Sequence, residues 1–152
     1  LLKHNWKKMK ALLCITFLMS VTMGQGCVAE SLSGNVADGK KLFKKCKSCH
    51  SIISDDGVAI EKGGKAGPNL WGIRGRVSGT SSYRYGNSIV TAGEAGLVWE
   101  KKEFIEYVSN PKAFLVAKLK DKSARSKMSY KLKKISDARN IWAYLVSHDT
   151  NK

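Results

Sequence analysis

Residues 46–50 read Cys-Lys-Ser-Cys-His, and no other stretch limits the fold of this chain so sharply. Two thiols three positions apart, with an imidazole directly after the second, form the C-x-x-C-H pattern of covalent haem attachment. The spacing has a chemical reason. Each thiol, Cys46 and Cys49, adds to one haem vinyl group, and the adjacent His50 imidazole reaches the iron from the same side. A chain built on this pattern folds around a large apolar disc.

Two other uses of a cysteine pair compete. A thioredoxin-like redox pair follows a strand in a βαβ unit, whereas this pair follows residues 35–45, which read as helix. A structural zinc site needs four ligands, usually as two pairs. Beyond residue 29 there is no second cysteine pair, and His148 lies at the far terminus.

Residues 1–29 differ from the rest. Lys3, Lys7, Lys8 and Lys10 form a positive start, Ala11 to Met23 is apolar and uncharged, and small residues Cys27 and Ala29 flank Val28. That order is the pattern of a secretory signal, with cleavage expected after Ala29. The apolar run is shorter than the roughly 20 residues of a membrane span. An uncleaved anchor and a lipoprotein attached through Cys27 are the alternatives. The chain opens on Leu1, which leaves a non-standard start codon or initiation at Met9.

Without residues 1–29, residues 30–152 suit a single domain. Four lysines leave with the leader and no acid does. The net charge falls from +15 to about +11. Such a surface favours an acidic partner. The basic residues are mostly lysines spread along the chain, with no helix-turn-helix pattern or RNA-binding aromatic signature, so no nucleic-acid partner is expected. The remaining segment keeps two histidines, His50 and His148, and one methionine, Met128. Met128 sits in the polar run Lys127-Met128-Ser129-Tyr130-Lys131, where a core methionine would find few apolar neighbours. It is the candidate sixth iron ligand. The alternatives are that Met128 fills the core and that His148 ligates.

The periodicity predicts short helices and long loops. Asn35 is an N-cap for a first helix. Glu100 to Asn110 forms a second, and Pro111 opens a third running to Leu119. Ser136 is expected to cap a last helix, Asp137 to Ser147. Residues 52–67 and 78–96 read as loops, and no strand pattern of any length is visible. So many loops exceed what a core of this size can stabilise alone, and a buried haem resolves the difficulty. Gly39 inside the first helix costs about 1 kcal/mol relative to Ala, which a close helix crossing would explain.

The blocks Cys46 to His50, Glu61-Lys62-Gly63-Gly64-Lys65, Gly67-Pro68-Asn69-Leu70-Trp71-Gly72, Gly75-Arg76, Trp99, Asn110-Pro111-Lys112, Lys127-Met128 and Ala143-Tyr144-Leu145 occur in this order. Together they resemble class I cytochrome c, over the whole segment after the leader. The resemblance implies an all-α fold of about four to five short helices and long loops around one covalent haem c. It implies that the Pro68 carbonyl accepts the His50 N–H, that Arg76, Tyr85 and Trp99 hold a haem propionate, and that Tyr107 hydrogen-bonds the Met128 sulfur. Gly39 and Phe43 resemble first-helix contacts with Ile141 and Tyr144. Extra residues at 54–59 and 117–126 resemble those of larger alphaproteobacterial periplasmic carriers.

The function so implied is one-electron shuttling by a soluble, monomeric periplasmic protein that is not an enzyme. A quinol–cytochrome c reductase would be the donor. A terminal oxidase, or a similar acceptor such as a photosynthetic reaction centre or a denitrification enzyme, would take the electron. Lys45, Lys65, Lys112 and Lys127 resemble the lysines that dock acidic partner surfaces. A peroxidase-like or gas-binding haem protein with a displaceable sixth ligand, and a membrane-tethered carrier, are the alternatives.

Overall fold

In the computed structural model, which describes residues 34–149, the Asn35 side chain accepts the Asp38 N–H at 2.9 Å and opens helix α1, Val36–Phe43. The Asn35 N–H donates in turn to Asn140 Oδ1 at 2.8 Å. One residue therefore caps its own helix and ties it to the last one. The leader at residues 1–29 and Lys152 lie outside the described residues.

The last helix, α5 (Ile135–Val146), buries Ala138, Ile141, Trp142, Ala143, Tyr144 and Leu145. It begins earlier than the sequence suggests. Lys134 is the N-cap, and Ser136 lies inside the first turn rather than capping it. α1 crosses α5 at Gly39, where a Cβ would lie 1.9 Å from the Asn140 carbonyl oxygen and 2.7 Å from Tyr144 Cβ. Only glycine permits that approach, which accounts for a helix-weakening residue at this position. Phe43 packs on Tyr144 with ring centroids 5.7 Å apart.

Helices α3 (Lys101–Ser109) and α4 (Pro111–Leu119) share Asn110. It ends α3, and its side chain accepts the Ala113 N–H of α4, with Pro111 at the first helical position. Pro suits that position because its missing N–H would have no intrahelical partner there. Lys120, in the left-handed region at φ 53, ends α4.

Two features depart from the sequence expectation. Residues 78–96, expected as loop, contain helix α2 (Asn87–Glu94). Residues 52–61 form a short antiparallel hairpin, β1 (Ile52–Ile53) against β2 (Ala59–Glu61), with Ile52 opposite Glu61 and an irregular register beside it. The described residues thus carry five short helices joined by long loops. Phe43, Ile52, Leu97, Leu115, Ile141 and Leu145 form the fully buried centre.

Candidate haem-binding site

Cys46 and Cys49 lie in the turns that follow α1, and neither is in a disulfide. The Cys49 and His50 N–H groups both donate to the Cys46 carbonyl. This compact turn presents the two thiols and the imidazole together. Burial pushes the Cys46 thiol up to about 11. No group of three or more His, Cys, Asp or Glu that could hold a metal exists among the described residues.

His50 Nδ1 lies 2.8 Å from the Pro68 carbonyl oxygen. A carbonyl only accepts, so Nδ1 carries the proton and Nε2 keeps its lone pair. Burial, partly opposed by the Pro68 carbonyl, lowers the imidazole pKa and favours the neutral ring. Gly67 packs on that ring: a Cβ there would come within 2.4 Å of His50 Cε1. The Gly67-Pro68 pair therefore fixes the histidine through contact from one residue and a hydrogen bond from the next.

All nine expected haem contacts line one cavity of about 280 Å³. Cys46, Cys49, His50 and Pro68 stand on the attachment side. Arg76, Tyr85, Trp99, Tyr107 and Met128 complete the lining. Apolar residues, among them Leu70, Ile73, Phe104 and Val108, form much of the rest.

The fit to a haem can be tested on the polar groups. Arg76 donates from Nη1 to the Trp71 carbonyl at 3.0 Å and from Nη2 to the Asn69 carbonyl at 3.2 Å. Its Nε is buried with no partner. A buried guanidinium N–H without an acceptor is costly, and a propionate carboxylate is the group that would satisfy it. The apolar lining, the orphan N–H, the paired free thiols and the fixed imidazole all fit a covalent haem.

Two further residues belong to the site. Tyr83 lines the cavity beside Tyr85, with their rings 5.0 Å apart and edge-on. Its hydroxyl donates to the Ala66 carbonyl at 2.6 Å. Ser126 also lines the cavity, and its hydroxyl is the partner of Tyr107, at 3.0 Å. The Tyr107 hydroxyl thus meets the residue two positions before Met128. Ser126 Oγ also accepts the Met128 N–H at 3.1 Å. Two residues upstream of the methionine, a hydroxyl in a polar run gave no periodic signal.

The four lysines are not equivalent. Lys45 and Lys127 are exposed on the cavity rim. Lys45 pairs with Asp137 at 3.8 Å, and Lys127 Nζ donates to the Arg84 carbonyl at 2.7 Å. Lys65 is exposed, and Lys112 lines a separate shallow depression with Asn110 and Lys131.

No family model matches the chain. It is 55% identical over 114 residues to the cytochrome c-551 of Roseobacter denitrificans, an alignment covering 75% of this chain and 81% of that one. It is 46% identical over 120 residues to the cytochrome c2 of Rhodobacter capsulatus, covering 78% and 86%. The molecular structure of cytochrome c2 isolated from Rhodobacter capsulatus superposes with a TM-score of 0.74 at 46% identity, over 77% of this chain and 100% of that one. With the fold, the attachment segment and these relatives in agreement, the chain belongs to the class I cytochromes c of the c2 and c-551 type and is an electron carrier with one covalently bound haem c.

Proposed function

We propose that His50 and Met128 would ligate the haem iron, that Cys46 and Cys49 would form its thioether bonds, and that Arg76, Tyr85 and Trp99 would hold a propionate. The observation that carries this reading is the shared cavity, with the His50 ring pinned by Pro68 at 2.8 Å.

Bound haem would supply an iron that takes up and releases one electron. His50, oriented by Pro68 and Gly67, would hold that iron. A soft, neutral thioether from Met128 would favour the reduced state and raise the potential. With both residues engaged, the chain would offer iron to no substrate. Its apolar lining excludes water and limits rearrangement when the charge changes. This ligand set disfavours the peroxidase-like alternative.

The carrier serves membrane redox complexes, with a quinol–cytochrome c reductase as donor and a terminal oxidase or similar acceptor. Lys45, Lys65, Lys112 and Lys127 meet acidic docking surfaces, at which opposite fields steer encounter. The protein works as a monomer in the periplasm, exported by residues 1–29 and folded as one domain from residue 30. No helix among the described residues is long and apolar enough to cross a membrane.

Mass spectrometry of the exported protein tests the reading. The expected product starts at Glu30 and carries one haem mass that survives acid and organic extraction. The double variant Cys46→Ala with Cys49→Ala should lose the pigment. A wild-type haem stripped by organic solvent would overturn covalent attachment at these thiols.

A further inference from the structure

Met128 lies between α4 and α5 in residues 120–134, a stretch with neither helix nor strand. A loop of this kind opens at low cost unless its backbone is tied to something rigid. Three successive residues before the methionine are held, Arg125 through its backbone and Ser126 and Lys127 through their side chains. The Arg125 N–H donates to Ser88 Oγ at 3.0 Å, across 37 residues of sequence. Ser126 Oγ pairs with the Tyr107 hydroxyl of α3. Lys127 Nζ donates to the Arg84 carbonyl, across 43 residues. Ala124, 1% exposed, anchors the segment just upstream. Beyond the methionine, the Leu132 N–H donates to the Val108 carbonyl at 2.8 Å.

We propose that Ser88 is a positioning residue for Met128: with Lys127, it staples the methionine loop to the 84–88 segment and sets how readily the methionine leaves the iron. This rests on the reading of Met128 as sixth ligand. Ser88 is in the first turn of α2, and its neighbours Gly86 and Ile89 line the cavity while Ser88 stands outside the lining. Its hydroxyl therefore reaches the site only through the Arg125 backbone. Removing it takes one hydrogen bond from the loop and no contact from the haem. Lys127 plays the same part from the rim, so its ammonium is engaged in holding the loop as well as available to a partner.

Opening would withdraw the Met128 sulfur from ferric iron, and an added neutral imidazole would take its place with no change of oxidation state. At high imidazole the binding rate would level off at the rate of opening. One ordinary hydrogen bond carries a factor of about five.

The test is stopped-flow imidazole binding to the ferric holoprotein, paired with amide hydrogen exchange. Ser88→Ala should raise the plateau rate about five-fold, and Ser88→Thr, which keeps the hydroxyl, should return it to the wild-type value. Exchange at Arg125 and Met128 should quicken by a similar factor in Ser88→Ala, with the amides of α5 unchanged. A wild-type plateau in Ser88→Ala overturns the proposal. So does a Ser88→Thr variant that behaves like Ser88→Ala, or exchange that quickens equally in α5, which would mean general destabilisation. Met128→Ala separates the underlying reading: it should bind imidazole without a plateau, and wild-type behaviour there removes Met128 from the iron whatever Ser88 does.

Discussion

The Tyr144 hydroxyl donates to Glu61 Oε1 at 2.9 Å, joining residues 83 positions apart. Lys47, inside the haem-attachment segment, donates to the other carboxylate oxygen at 2.8 Å. One side chain on β2 thus ties the last helix to the segment that carries both thiols. The Lys47 bond, helped by Tyr144, holds the Glu61 carboxyl below its usual range. Burial, together with Glu61, pushes Tyr144 up to about 12.

A pH dependence follows. A depressed folded pKa means that the Glu61 bridge stabilises fully above the ordinary carboxylate value, 4.5, and is lost as pH falls through the lower folded value. Glu61→Gln should cost about 1 kcal/mol at neutral pH and lose less on acidification than wild type. Thermal melts across a pH series measure both. Wild-type and Glu61→Gln curves that fall in parallel toward acid would show that the bridge has no such role.

The α1–α5 crossing is the second target. Gly39→Ala places a Cβ 1.9 Å from the Asn140 carbonyl oxygen, which backbone must move to accommodate. The expected loss is about 3 kcal/mol in denaturant unfolding of the holoprotein. A loss under about 1 kcal/mol would mean that the helices separate easily here, and that the crossing is not what requires glycine.

Partner encounter gives the third. Exposed charges are screened over about 8 Å at physiological ionic strength, so oxidation by an acidic partner should slow steeply as salt rises. Lys65→Glu and Lys112→Glu should slow association while leaving the haem potential in place. Lys127→Glu should do more, because its ammonium also holds the Arg84 carbonyl at 2.7 Å. Lys152→Glu, outside the described residues, should matter little. Stopped-flow oxidation across a salt series reads all four. Equal slowing by Lys65→Glu and Lys152→Glu would mean that net charge alone steers the protein.

Much of this was legible from residue order, for identifiable reasons. Asn35 and the Asn110-Pro111 pair carry cap chemistry that acts locally, and helices α1 and α4 start where that chemistry places them. α5 starts two residues early, at Ile135 rather than Asp137, because Lys134 is its N-cap and Ser136 makes no cap. Helix α2 was hidden because its N-cap is Gly86, with no side-chain bond, and its sequence NSIVTAGE has no charged cation in the last turn. The hairpin was hidden because two- and three-residue strands are too short to show alternation. In the site, residues with distinctive chemistry were visible: paired thiols and a lone methionine, with Arg76 reached through the family resemblance. Ser126 and Ser88 were not, because a serine hydroxyl acquires its role only from what the tertiary fold sets within 3 Å of it.

The proposed ligand pair, His50 and Met128, is reached directly by one optical measurement. Ferric wild type should show the methionine–iron charge-transfer band in the near-infrared, and Met128→Ala should lose it, with a lower reduction potential and ready binding of small ligands. The haem should stay covalently bound in the variant, because Cys46 and Cys49 are untouched. A Met128→Ala spectrum and potential identical to wild type would contradict the account, and would return His148 as the candidate for the sixth position.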